Sequence, residues 1–253
     1  TGIEIENRPP YFQIMARQLR LHQWVKNLLI FVPLLSSHKV FEWALVQQGL
    51  VAFISFGLCA SGVYVLNDLL DLPDDRNHAG KRQRPLASGQ LPIIHAVLLV
   101  PTLLLASFGI AFVALPMEFI SILGAYLVLT TAYSLVLKQV AILDVVILSM
   151  LYTSRVIAGT AAMGLIATFW ILAFCMFMFL SHAFVKRYTE LLGVQSEDAF
   201  EKLSGRDYSR KDLELIASLG GSAGYISVLV LVLYINQEMT GDLYSSPEWM
   251  WLA

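Results

Sequence analysis

Seven apolar stretches, near residues 23–37, 44–70, 91–115, 118–137, 140–162, 168–185 and 213–236, succeed one another with short polar connections between them. Such stretches leave a chain few options. In hydrocarbon every backbone N–H and C=O must be satisfied inside the protein, and a helix does this within one segment. The expected fold is an all-α, polytopic membrane helix bundle of about seven spans, the first of them short. At 57% hydrophobic and 14% charged residues over 253 positions, the composition excludes an ordinary soluble domain. No nucleic-acid partner is expected.

Residues 1–22 read as a polar N-terminal lead and 23–253 as one transmembrane domain. Trp249 to Ala253 resembles the start of a further span, so the chain reads as incomplete at its C-terminus. Of the 17 Lys and Arg, 15 fall on alternate connections: Arg8, Arg17, Arg20 and Lys26; Arg76, Lys81, Arg82 and Arg84; Lys138; and Lys186, Arg187, Lys202, Arg206, Arg210 and Lys211. By the positive-inside rule these connections are cytoplasmic. Lys39 falls on the other side and Arg155 inside a span. Cys59 and Cys175 lie in apolar spans without a nearby partner and read as small core residues. The five His lack ligand spacing.

At the cytoplasmic end of the second stretch stands Asn67-Asp68-Leu69-Leu70-Asp71-Leu72-Pro73-Asp74-Asp75. Asp68, Asp71 and Asp75 are spaced i, i+3, i+7, one helix face if the helix continues, although Pro73 would kink it or start a new one and leave Asp75 on a turn. Three carboxylates this close repel one another unless a cation or basic groups neutralise them. Hard oxygen ligands suit Mg2+, which completes its shell with water and phosphate oxygens. Asn67, Asp68, Asp71 and Asp75 are therefore the candidate metal ligands. Arg76, Lys81, Arg82 and Arg84 follow within ten residues, and acid followed by base suits a metal-bound diphosphate.

Other polar groups sit near the spans. Tyr133 precedes Lys138, and Asp144 and Arg155 share a helix face about 16 Å apart along the axis, too far to pair. Each needs its own partner: a bound anion for Arg155, and metal or Lys138 for Asp144, or else both belong to a salt-bridge network that orients helices. Tyr152 and Thr153 beside them suit lining or packing. Lys186 and Arg187 open a charged connection that runs to about residue 212 and has the composition of a surface lid or short amphipathic helix.

These residues resemble the UbiA superfamily of intramembrane prenyltransferases over nearly the whole chain. Asn67, Asp68, Asp71 and Asp75 match its first aspartate-rich motif. Tyr133 with Lys138 resembles its Tyr/Lys loop, one residue longer than Y-x-x-x-K. The resemblance implies nine spans around a central cavity, two more than are found here, and Mg2+ bound with a substrate diphosphate. Where members carry a second D-x-x-x-D, this chain has Lys186-Arg187-Tyr188-Thr189-Glu190, which cannot hold a second metal in that way. With Gln23 to Asn27, Asp144 and Arg155 to Gly159, that departure looks like the branch containing decaprenyl-phosphate phosphoribosyltransferase. That branch implies phosphoribosyl diphosphate as donor, a polyprenyl phosphate as acceptor, and a bacterial inner membrane with the site facing the cytoplasm. A basic replacement suits an acceptor that is itself a phosphate. The expected catalytic residues are Asp68, Asp71, Asp75, Lys138 and Asp144. The expected substrate-binding residues are Lys26, Asn67, Arg76, Lys81, Arg82, Arg84, Tyr133, Arg155, Lys186 and Arg187. Prenyl transfer to an aromatic or other acceptor is the alternative chemistry. A transporter is the alternative class.

Overall fold

The computed structural model describes residues 10–78, 80–193 and 206–236. Among them the chain is helical: α1 Tyr11–Gln18, a 3-10 stretch Leu21–Phe31, α2 Val32–Ser36, α3 Trp43–Leu70, α4 Leu72–Asn77, α5 Ile93–Ala114, α6 Met117–Leu135, α7 Leu143–Met163, α8 Phe169–Leu192 and α9 Leu213–Ile235. The C-terminal pentapeptide, Arg8, Lys202 and most of the connection expected to form a lid lie outside the described residues.

Six helices, α3 and α5 to α9, are long and apolar enough to cross a membrane. The chain is an integral membrane protein. The seventh expected helix, over 23–37, is replaced by the 3-10 stretch and α2. At about 2.0 Å per residue the eleven 3-10 residues rise about 22 Å, and the five of α2 add about 7.5 Å, together the thickness of a hydrocarbon core. The segment runs alongside α3: Trp24 lies over Gly57 and donates to Ser61 Oγ at 3.0 Å, while Phe31 lies over Gly49, two turns into α3.

Three residues per turn sorts its side chains into columns. His22, Val25 and Leu28 are exposed, Gln23 and Lys26 face inward to a cavity, and Asn27 and Ile30 are buried beside Trp24. Ile30 meets α7 at Gly159 so closely that an added Cβ would collide with the Ile30 carbonyl. Only a residue without a side chain fits there.

α3 and α7 form the middle of the bundle, each with more than half of its span buried. α3 is apolar all round, as a helix enclosed by others should be. Small residues bring its neighbours close. Ser55 Oγ donates to the Ser107 carbonyl at 2.9 Å and Ser107 Oγ to the Ser55 carbonyl at 2.7 Å, tying α3 to α5. Ser181 Oγ donates to the Gly220 carbonyl at 2.9 Å, tying α8 to α9. Cys59 and Cys175 are free and buried, as expected.

Candidate active site

The C-terminal end of α3, the connection after it, the α6–α7 turn, the end of α8 and residues 206–212 meet at one end of the bundle. The aspartate motif does not continue as one helix. α3 ends at Leu70, Asp71 leaves helical geometry with ψ near 7°, and α4 restarts with Pro73 in its first turn. Pro73 lacks the N–H that a helix interior needs, and the first turn is where that lack costs nothing. Asp75 therefore sits inside a new helix and not on a turn.

Two cavities open here. Among the described residues the first, about 420 Å3, is lined by Arg20, Lys26, Lys81, Arg84, Lys138, Arg155, Lys186 and Arg206, with Asp71 as the one lining carboxylate; Asn67, Tyr133, Tyr126 and Tyr152 add to its polar wall. The second, about 700 Å3, gathers the acids Asp71, Asp74 and Asp75 with His78. Asp71, Lys81, Ser134, Lys138 and Arg206 line both. The sequence order of acid then base is thus kept in space, with Asp71 at the junction. Arg76 and Arg82, expected to bind substrate, are exposed and line neither. Arg187 is buried behind the wall.

The three motif carboxylates part company. Asp68, 3% exposed, accepts from Gln18 Nε2 at 3.0 Å, Arg20 Nη2 at 2.6 Å and Arg84 Nη1 at 3.1 Å, and lines neither cavity. Asp75 accepts from Arg84 Nη1 at 2.6 Å on Oδ2, while its buried Oδ1 accepts no hydrogen bond from the described residues and has Lys81 Nζ 3.8 Å away. Asp71 is half-buried, accepts from Asn67 Nδ2 at 2.9 Å and lies 3.6 Å from Lys138 Nζ. Among the described residues no group of three His, Cys, Asp or Glu converges as a ready metal site. Mg2+ asks for less, one or two carboxylates with the rest from water and phosphate. Asp71 at the junction, the orphaned Asp75 Oδ1 and Asn67 fit that demand.

Asp144 belongs to a salt-bridge network, one of the arrangements the sequence allows, and does not pair with Lys138, which lies beside Asp71 instead. It accepts from Tyr208 OH at 2.6 Å and Arg206 Nη1 at 2.8 Å, and Arg187 Nη2 lies 2.6 Å away as an ion pair without hydrogen-bond alignment. Arg187 is held from its other side by Glu190. Arg206 also donates to Tyr133 OH at 3.3 Å. Burial would lower the Arg206 pKa, but Tyr133, Glu190 and Asp144 more than offset it and raise it above the ordinary value. Burial first, then the Asp144 carboxylate, push the Tyr208 phenol upward, against the Ile142 N–H that it accepts.

Arg155, 5% exposed, donates to Asn27 Oδ1 at 3.0 Å, Tyr126 OH at 3.2 Å and the Leu151 carbonyl, and lies over the rings of Phe56, Tyr126 and Tyr152. Among the described residues no carboxylate pairs with it. Lys26 Nζ stands 5.6 Å from the Tyr152 ring centre on the same cavity wall.

The UbiA prenyltransferase family model matches residues 28–235. The chain belongs to the UbiA prenyltransferase family. Within that family it is 36% identical over 90% of its length to nodulation protein NoeC of Azorhizobium caulinodans, covering 73% of that protein. It is 33% identical over 83% of its length to the decaprenyl-phosphate phosphoribosyltransferase of Mycolicibacterium smegmatis, covering 67% of it. A Sinorhizobium fredii protein, y4nM, is 35% identical over 93% of the chain, which spans 46% of that relative's length. The solved UbiA homolog from Archaeoglobus fulgidus bound to GPP and Mg2+ shares the fold with a TM-score of 0.74 at 17% identity, over 94% of this chain and 83% of that one.

Site residues absent from the sequence-based reading are Gln18, Tyr126 and Tyr208, while Asn27 entered it only within the stretch Gln23 to Asn27, and Arg20 and Arg206 only as orientation charges. Arg206 and Tyr208 lie more than sixty residues from Asp144, so no local spacing signals that contact.

Proposed function

We propose that this UbiA-family chain is a Mg2+-dependent transferase that moves a phosphoribosyl group from phosphoribosyl diphosphate to a polyprenyl phosphate, at the cytoplasmic face of a bacterial inner membrane. The observation that carries this reading is the cavity wall, to which the described residues contribute eight cationic side chains and one carboxylate. A diphosphate donor and a phosphate acceptor together bring enough negative charge to balance such a wall; a neutral aromatic acceptor does not. The similarity to decaprenyl-phosphate phosphoribosyltransferases supports the same substrate pair.

Arg20, Lys81, Arg84 and Lys138, beside the carboxylates, suit the donor diphosphate. Arg155, Lys26 and Lys186, on the wall without carboxylates, suit the lipid phosphate. Asp71, Asp75 and Asn67 would hold Mg2+, which would supply positive charge to offset the charge that builds on the leaving diphosphate. The ribose C1–O bond breaks with its electron pair leaving on diphosphate, and a lipid phosphate oxygen forms the new bond to C1. Preorganised guanidinium and ammonium groups favour the charge on the leaving group, and the surrounding helices keep water from the cationic carbon.

The test is a pair of incubations of membranes carrying the full-length protein. One holds labelled phosphoribosyl diphosphate and polyprenyl phosphate, the other a labelled prenyl diphosphate and an aromatic acceptor. Labelled lipid phosphate in the first alone is expected. Product in the second alone would make the enzyme a prenyltransferase, and flux of label across the membrane without covalent change would make it a transporter.

A further inference from the structure

Asp68 and Asp144 stand in parallel positions on opposite sides of the site. Each is buried, each lies outside both cavities, and each is approached by three side chains, two of them arginines. The third is neutral in both cases: Gln18 for Asp68 and Tyr208 for Asp144. The arginines, by contrast, reach the cavity: Arg20 and Arg84 from the Asp68 side, Arg206 from the Asp144 side.

We propose that Asp68 and Asp144 are positioning residues that fix an arginine clamp around the donor diphosphate, and that neither ligates the metal. The proposal rests on the diphosphate-donor reading above. A carboxylate has about four lone-pair sites, and Asp68 has committed three to Gln18, Arg20 and Arg84. Asp71 is partly exposed at the junction of the cavities, and Asp75 Oδ1, though buried, is uncommitted to any hydrogen bond among the described residues. An arginine is long and flexible, and tethering its guanidinium to a buried carboxylate settles its rotamer on folding, not on binding. The tethers also supply buried negative charge behind a wall of like charges, which otherwise repel.

The experiment uses detergent-solubilised full-length protein and two probes: radiolabelled inorganic diphosphate for the clamp, and Mn2+ followed by electron paramagnetic resonance at saturating diphosphate for the metal. Asp68→Asn and Asp144→Asn should weaken diphosphate binding by about tenfold or more while Mn2+ affinity stays within about twofold of the unsubstituted protein. Asp71→Asn should lower Mn2+ affinity by about tenfold or more. Added to Arg20→Gln/Arg84→Gln, Asp68→Asn should weaken diphosphate binding by less than a further twofold or so, because it acts through those two residues. Loss of Mn2+ affinity in Asp68→Asn equal to that in Asp71→Asn would overturn the proposal, as would full multiplication in the triple variant. If the aspartate variants fail to insert, Arg84→Gln and Arg206→Gln carry the test, and unchanged diphosphate binding in both would overturn it. Inorganic diphosphate is common to both donors, so turnover with a prenyl diphosphate would sink the proposed function and leave this result standing.

Discussion

Tyr208 OH accepts the backbone N–H of Ile142 at 2.5 Å. Ile142 has φ 66° and ψ −46°, left-handed for a β-branched residue, inside a γ-turn closed by Leu143 N donating to the Ala141 carbonyl at 2.7 Å. Such a turn is strained and persists when its surroundings over-determine it. Tyr208 does so from a distant segment while donating to Asp144. Tyr208→Phe should therefore cost about 1–3 kcal/mol, since the Ile142 N–H and one Asp144 oxygen both lose their partner. Thermal unfolding in detergent measures this, and an unchanged midpoint would remove Tyr208 from the turn's support.

The raised Tyr208 pKa has a direction in pH. The folded state keeps the phenol protonated above the value near 10 at which the unfolded chain's tyrosines ionise. Its contribution to stability is whole below that pH and is lost as pH rises through and beyond it. Chemical denaturation at pH 9 and at about pH 11 should show a steeper loss in the unsubstituted protein than in Tyr208→Phe, and equal slopes would contradict the shift.

Gly159→Ala should be among the most damaging conservative changes. The obstacle is the Ile30 carbonyl, backbone that cannot rotate away. The expected cost is about 4 kcal/mol or more, seen as loss of inserted protein or a large fall in melting temperature. Gly221→Ala, where nothing lies within 4 Å, is the control and should behave normally.

Arg155→Gln should lower kcat/KM for the lipid phosphate by roughly 100-fold, the scale for truncating one partner of a desolvated ionic pair. Binding of inorganic diphosphate should change little. Equal losses for both ligands would place Arg155 in a shared anion site, and no loss for either would make it a packing residue.

Asp71→Ala should reduce turnover by roughly 1,000-fold or more, the equivalent of several kcal/mol of charge stabilisation. Because the side chain is partly exposed at the cavity junction, insertion and melting should be nearly unchanged. Chelation of divalent cations should do the same to the unsubstituted protein, with recovery on adding Mg2+. Near-normal turnover after either treatment would remove metal from the reaction.

Much of this was legible in the order of residues. Six of the seven expected spans emerge as helices of membrane length, because hydropathy over some twenty residues depends little on tertiary context. Asn67, Asp71, Lys81, Arg84, Tyr133, Lys138, Arg155 and Lys186 do gather at one cavity. What escaped was division of labour. Asp68, Asp71 and Asp75 are equivalent by spacing, yet three different fates follow from where Arg20 and Arg84 reach. Asp144 lacked a visible partner because Arg187, Arg206 and Tyr208 come from later in the chain. Leu21–Phe31 falls largely within a stretch, 23–37, that reads as helix because its apolar content suits either winding, and hydropathy does not record the about 20° per residue by which the two windings differ.

That winding has a genetic corollary. In a three-residue turn, one inserted or deleted residue rotates everything beyond it by about 120°, a full column. A single-codon deletion before Lys26 would hand its place to Asn27 and send an amide where an ammonium stood. A three-codon change would restore the rotation but slide the stretch by about 6 Å along α3 and α7, out of the close fit of Ile30 on Gly159, so neither kind of length change should be tolerated here.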